Sequence, residues 1–191
     1  MNRYVAEIHP NIKTCLPLTE CSNPMSTLTN ESVLSSLQSA FGEAILSSEE
    51  QHGFFTVTVN KEKVFDIMKF LKEDPSMNFH FLTTMCGLHY PDQEQKFGLM
   101  MQLHNMPANK RIRIKTFTAD NEPVFKTLTT IWPAANWMER EAYDFFGFRF
   151  AGHPDLRRIV NMDSMEGWPL RKEYPLEDPF RKDKDDKMFG R

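Results

Sequence analysis

The run Phe97-Gly98-Leu99-Met100-Met101-Gln102-Leu103-His104 is followed, after a loop from Asn105 to Lys110, by Arg111-Ile112-Arg113-Ile114-Lys115. Both runs alternate with a period of two, which places successive side chains on opposite faces of an extended strand. In the first, Phe97, Leu99, Met101 and Leu103 form a face to be buried, and the other face is semi-polar. In the second, Ile112 and Ile114 point inward and three cations point outward. Both runs are read as strands of a sheet, and the rest of the chain is read outward from them.

Upstream, Phe79 to Leu88 reads as another strand, with Pro91-Asp92 opening a turn. Val64, Ile67, Met68 and Leu71 recur at helical spacing, and Pro75 stops that helix. Gly53 to Val59 is rich in aromatic and β-branched residues and predicts a strand. Before it, Asn30 is placed to cap a helix carrying Val33, Leu34, Leu37 and Phe41, ended by Gly42. Downstream, Val124, Phe125, Leu128 and Ile131 predict a short helix between Pro123 and Pro133. A last helix runs from an Asn136 cap to Gly147. The expected class is α+β: a small mixed or antiparallel sheet with helices mainly on one face, followed by an extended C-terminal arm. The expected divisions are an N-terminal extension over 1–25, an α+β domain over 26–147 and the arm over 148–191.

Composition narrows the function classes. The chain has 191 residues, 40% of them hydrophobic and 26% charged, with a net charge of −3. That is a globular balance without the basic excess of a nucleic-acid binder. The abundant Phe (16) and Met (12) fit either a core or partner surface. Cys15, Cys21 and Cys86 form no C-x-x-C pair, which fits a reducing compartment and falls short of the four thiolates an iron–sulfur cluster takes. The longest uncharged runs, Asn78 to Pro91 and Phe97 to Asn109, are too short to span a bilayer, so membrane work would need other chains. No secretory leader, Gly-rich phosphate loop, H-E-x-x-H or G-x-S-x-G is present.

The last helix carries the densest chemistry. At about 100° per residue, Met138, Ala142, Phe145 and Phe146 share one face. Trp137, Arg140, Glu141 and Asp144 gather opposite, with Glu139 and Tyr143 flanking. One reading is a solvated face with an Arg140–Asp144 pair worth about 0.3 kcal/mol. The other is an ionic partner site. Acid–base catalysis by these carboxylates would need a pocket and shifted pKa values. The following segment holds Gly152-His153-Pro154, then Arg157-Arg158-Ile159-Val160. Beyond it come Trp168, Leu170, Tyr174, Leu176 and Phe180, too many large apolar groups for a free tail and too little periodicity for a domain. An arm that buries these groups on another protein reconciles the two.

These residues resemble a known family. Glu139-Arg140-Glu141, Asp144, Phe145-Phe146, His153 and Arg157-Arg158-Ile159-Val160 are similar to the hallmark of the 30-kDa subunit of respiratory complex I, the C subunit of bacterial NADH-quinone oxidoreductase. Glu166-Gly167-Trp168-Pro169-Leu170-Arg171-Lys172-Glu173-Tyr174-Pro175-Leu176 is similar to the family's tail. The likeness covers roughly residues 28–180 and is strongest from Arg111. It departs at residues 1–25 and at Thr84 to Tyr90, where relatives often carry an Asp before the Tyr.

The resemblance implies a subunit without catalytic site, metal or cofactor of its own. It sits in a proton-translocating NADH:quinone oxidoreductase that uses FMN, iron–sulfur clusters, NADH and quinone. It implies packing on the 49-kDa quinone-site subunit and neighbouring iron–sulfur subunits, peripheral to the cytoplasmic side of a bacterial inner membrane (the matrix side in an organelle). The expected interface set is Glu139, Arg140, Glu141 and Asp144 on the helix, which fix it against the partner or the chain's own arm. His153, Arg157, Arg158, Trp168, Arg171 and Lys172 complete the set on the arm. Related subunits of membrane-bound hydrogenases and ferredoxin-dependent quinone reductases share the pattern. A free-standing enzyme built on the acidic helix and an RNA-binding domain built on Arg111, Arg113 and Lys115 are the readings from other classes.

Overall fold

Period-two strands need neighbours for their backbone groups, and the computed structural model, which describes residues 28–174, supplies them in one five-stranded sheet. Its strands are β1 (Ile45–Gln51), β2 (Phe54–Val59), β3 (Phe81–His89), β4 (Phe97–Asn105) and β5 (Lys110–Thr118), in the order β1-β2-β5-β4-β3. All neighbours are antiparallel except β2 and β5, which run parallel. The two strands that anchor the sequence reading thus lie side by side, with Leu103 opposite Ile112 and Met101 opposite Ile114.

The helices are α1 (Asn30–Phe41), α2 (Val64–Glu73) and α3 (Ala135–Phe146). Val33 and Leu37 of α1 and Ile67, Met68 and Leu71 of α2 join Val57, Leu99, Met101, Leu103, Ile112 and Ile114 in one core. Gly87 of β3 lies against Phe146 of α3 and shares a cross-strand row with Leu99, so α3 leans on the same side of the sheet. The fold is therefore α+β, with a mixed sheet covered on one face by helices, as the periodicities predict.

Three local expectations are corrected. The strand β1 lies in Ile-Leu-Ser-Ser-Glu-Glu-Gln, which carries no alternation because it is an edge strand with exposed side chains; it forms by a hairpin to β2 through His52 and Gly53, both at positive φ. The short helix expected over Val124 to Ile131 is instead strand β6 (Val124–Lys126) followed by turns. β6 pairs in parallel with β7 (Arg149–Ala151), and Phe125 and Phe150 enter the core. A three-residue stretch is too short to close a helical turn of its own, so the pairing partner decides. The caps also move: Thr29 caps α1 in a capping box with Ser32, and α3 has Ala134 at its N-cap position with no side-chain cap, which puts Asn136 inside the helix.

The expected N-terminal extension over 1–25, with Cys15 and Cys21, and Leu176 and Phe180 of the arm lie outside the described residues. β7 shows that the segment after Gly147 first contributes a strand to the domain before continuing without regular elements to residue 174.

The approach of α3 to β3 depends on a missing side chain. A Cβ at Gly87 would stand 2.6 Å from Cδ2 of Phe146 and 2.9 Å from its Cγ. Gly87→Ala is expected to force α3 outward and cost about 1–3 kcal/mol in urea unfolding of the full chain. Unchanged stability would mean that the helix and strand are not in this contact.

Candidate functional site

The helix α3 carries both a core stripe, through Ala135 and Ala142, and three charged side chains that are also buried. Glu139 and Asp144 are 0% exposed and Arg140 is 7% exposed. A buried charge must be hydrogen-bonded or paired, and each of the three finds its partners within this chain.

Glu139 faces the loop after β6. Its carboxylate accepts the N–H of Leu128 at 2.6 Å and the hydroxyl of Thr127 at 2.7 Å. Burial without a cation pushes its pKa up to about 7, against the opposing pull of those two hydrogen bonds. Arg140 turns the other way. Its Nε donates to the carbonyl of Arg157 at 3.2 Å and an Nη to that of Arg158 at 3.4 Å, while the guanidinium lies 4.8 Å from the Trp137 ring centre.

Asp144 holds the next turn of the arm. One oxygen accepts the backbone N–H groups of Ile159 (3.1 Å), Val160 (2.8 Å) and Asn161 (3.0 Å), and the other accepts the Asn161 side-chain amide at 3.0 Å. Burial alone would raise this carboxyl. The hydrogen bonds from Asn161, Val160 and Ile159 outweigh it and hold the group below its ordinary range. Arg158 approaches the same carboxylate at 3.6 Å. It also donates to the carbonyls of Met165 and Gly167, each at 3.1 Å, and lies 4.9 Å from the Trp168 ring centre.

The end of α3 is fastened in the same way. Gly147 closes the helix at φ +77°, and a Cβ there would meet Trp168 at 2.5 Å, so the indole uses the space a glycine leaves. Tyr143 meets Trp168 edge-on at 5.3 Å. Phe146 ends the helix with a free carbonyl, and Arg171 donates Nε to it at 2.7 Å, with its guanidinium over the ring of Phe97. The backbone N–H of Lys172 donates to Nδ1 of His89 at 2.9 Å, and His89 stacks on Phe97 at 4.5 Å. His153 donates from Nε2 to the Asn136 carbonyl and accepts the Asp155 N–H on Nδ1.

The expected set therefore divides. Glu139, Arg140, Asp144, His153, Arg158, Trp168 and Arg171 are bonded or packed within the chain. Glu141 stays exposed, Arg157 pairs only with its neighbour Asp155, and Lys172 takes part through its backbone. Of the two supports expected for this face, the partner or the chain's own arm, the arm is the one that meets Arg140 and Asp144, while Trp137 and Glu141 stay exposed. Asn161, Thr127 and His89 complete the site without having been singled out by any motif. Three or more His, Cys, Asp or Glu side chains placed to hold a metal are not found among the described residues. No helix among them is long and apolar enough to cross a membrane.

Residues 57–180 match the family described as respiratory-chain NADH dehydrogenase, 30 Kd subunit. The C subunit of NADH-quinone oxidoreductase from Roseiflexus castenholzii is 40% identical over 149 residues, which is 78% of this chain and 86% of that protein. Its namesake from Geobacter sulfurreducens is 40% identical over 153 residues, 80% of this chain and 93% of that one. Among solved structures, a trypsin-resistant fragment of Nqo5 (1-134) superposes with a TM-score of 0.56 at 30% identity, covering 65% of this chain and 98% of the fragment. A chain of a membrane-bound sulfane sulfur reductase, an archaeal respiratory membrane complex, superposes with a TM-score of 0.66, covering 81% of this chain and 96% of its own. At 24% identity that likeness speaks to the fold alone.

Two outcomes follow from the buried acids. Asp144→Asn keeps one acceptor oxygen for the three N–H donors but turns an amide donor toward the Asn161 side-chain amide and the Arg158 guanidinium. It is expected to cost about 2–4 kcal/mol in unfolding free energy and to speed tryptic cleavage after Arg157 and Arg158; a stability within 0.5 kcal/mol of wild type, about the usual spread for a surface change, would contradict the role given to this carboxylate. Glu139 works in the opposite sense with pH. Folded, it keeps its proton up to about 7, whereas its ordinary value is 4.5. Between those values the folded state binds more protons, so stability falls as pH rises, by on the order of 3 kcal/mol. Glu139→Gln is expected to flatten that slope in thermal unfolding measured from pH 4.5 to 7.5.

Proposed function

The chain belongs to the 30-kDa subunit family of the respiratory-chain NADH dehydrogenase, and on that footing we propose that it is a structural subunit of the peripheral arm of a proton-translocating NADH:quinone oxidoreductase. It carries no redox centre of its own; the flavin, iron–sulfur clusters and quinone sit on neighbouring chains. Its partners are the 49-kDa quinone-site subunit and adjacent iron–sulfur subunits, and it meets the membrane through them, on the cytoplasmic or matrix side.

One observation carries this reading. Arg140 and Asp144 of α3 bind the chain's own arm, and the arm, so held, turns apolar side chains outward. Val160 is 65% exposed, Met162 74% and Trp137 on the adjoining helix 64%. Ile159, Leu170 and Tyr174 are exposed along the same arm. Side chains that a folding chain would ordinarily bury are here presented on a scaffold ordered by one buried carboxylate, Asp144, and two arginines, Arg140 and Arg158. Such surface is what a partner covers. The buried charges thus act on assembly at one remove: they shape the arm, and the arm meets the neighbour.

The role is mechanical, so its failure appears in assembly before it appears in chemistry. Val160→Glu leaves every bond of Asp144 and Arg140 in place but puts a charge in the proposed contact. A loss of about 1–2 kcal/mol at such a position lowers partner affinity roughly tenfold. The expected result in mild-detergent affinity purification is several-fold less assembled complex for Val160→Glu and for Arg140→Ala, with NADH:quinone turnover per assembled complex unchanged. Full assembly with lost turnover would assign these residues a chemical part instead. Companion chains of a hydrogenase type, without an NADH-binding flavoprotein, would redirect the electron donor.

A further inference from the structure

The helices cover one face of the five-stranded sheet, and none of the described residues builds a layer on the other. We propose that this open face is a second docking surface, which takes an acidic segment with apolar flanks from another subunit, with Arg113 receiving its carboxylate. The inference rests on the reading that the chain works inside an assembly, and adds to the arm a partner contact on a different surface.

The register defines the face. Val57, Ile114, Met101 and Met85 form a cross-strand row on the core side, so the adjacent row Thr56, Arg113, Gln102 and Thr84 points away from the helices. The next outward row holds Thr58, Lys115, Met100 and Cys86, and the one beyond it Phe117, Gly98 and Leu88. An antiparallel sheet face left to water is ordinarily polar at alternate positions. Here the outward positions include Phe54, Phe81, Leu88, Tyr90, Met100 and Phe117, with Phe81 and Tyr90 among the exposed large hydrophobic residues and Tyr90 lying 6.1 Å from Phe117.

Charge selects the kind of partner. The outward cations are Arg111, Arg113 and Lys115. Lys115 has its acid, Glu49, at 3.6 Å. Arg111 and Arg113 form no ion pair with any described residue. Burial and, after it, Glu141 of α3 push the Cys86 thiol up while Arg113 pulls it down. The Arg113 guanidinium carbon lies 4.6 Å from the Phe54 ring centre, and its Nε is buried without a hydrogen-bond partner among the described residues. A half-buried guanidinium fork, held in one orientation by an aromatic ring and lacking an acceptor, is arranged to take a planar carboxylate in two parallel hydrogen bonds. Among the described residues two cations on the face lack an acid, and aromatic and aliphatic groups surround them, so the face fits a short acidic peptide segment better than a phosphate backbone, which wants a row of free cations.

Zero-length carbodiimide coupling tests this on the assembled complex. Arg113→Lys keeps the cation and supplies an amine; Gln102→Lys, in the neighbouring strand, serves the same purpose if the first variant fails to fold. The expected result is an amide between the amine at 113 or 102 and an Asp or Glu of another subunit, identified by mass spectrometry. That amine is also expected to react with a water-soluble acylating reagent at least tenfold more slowly in the complex than in the free full-length chain. Companion subunits that co-purify while the amine reacts at the free-chain rate would overturn the docking face and leave the structural-subunit reading standing. Coupling to a carboxylate of this same chain or of a second copy would overturn it too, as would nuclease-sensitive retention of RNA abolished by Arg113→Lys. A chain that purifies without companions would sink the structural-subunit reading and this inference with it.

Discussion

A carboxylate with no exposed surface cannot keep its charge unless hydrogen-bond donors replace the water it has lost, and Asp144 obtains four of them from three consecutive residues of the arm. The dependence is mutual. The backbone N–H groups of residues 159–161 have no ladder or helix to satisfy them, and without this acceptor a segment carrying Ile159 and Val160 would have no reason to lie where it does. Arg140, one turn earlier, holds the carbonyls of residues 157 and 158. An acid and a base four residues apart thus bind the donors and the acceptors of one irregular stretch, and do not pair with each other. Helix α3 therefore acts as a two-sided template, apolar toward the sheet and polar toward the arm.

Much else follows from that template. Arg158, placed by the turn at Asp144, gathers the carbonyls of Met165 and Gly167 and presents a flat cation to Trp168. Trp168 fits over Gly147 because no Cβ stands there. Arg171 and Lys172 then reach the helix end and the sheet, at Phe146 and His89. Each contact is modest, but they run in sequence along the arm, and loss of the first frees the rest. The two buried acids also behave oppositely toward protons. Asp144 is held ionised by donors, and Glu139, with burial outweighing its two donors, keeps its proton up to about 7.

The sequence made the sheet legible where side chains alternate between core and surface, as in Phe97–Leu103 and Arg111–Lys115, and the helices where apolar spacing is helical. It did not reveal β1, whose Ser, Glu and Gln side chains are exposed at the sheet edge and carry no burial signal. Nor did it reveal β6, where Val124–Lys126 is a strand only because residues 149–151, some two dozen positions on, pair with it. For the candidate site, the grouping of Arg140 and Asp144 on one helical stripe could be read directly. Their partners could not, since they are backbone groups of residues 157–161 that any sequence would supply. The burial of Glu139 was hidden because the groups that donate to it, on Thr127 and Leu128, lie in a segment read as helix.

Amide hydrogen exchange of the free full-length chain, followed residue by residue at neutral pH, tests the central claim most directly. If α3 templates the arm, the amides of Ile159, Val160 and Asn161 exchange as slowly as those in the middle of α3, and they are released together with it. If those three amides exchange at the rate of an unstructured peptide while α3 stays protected, the arm is not held by Asp144 and the claim fails.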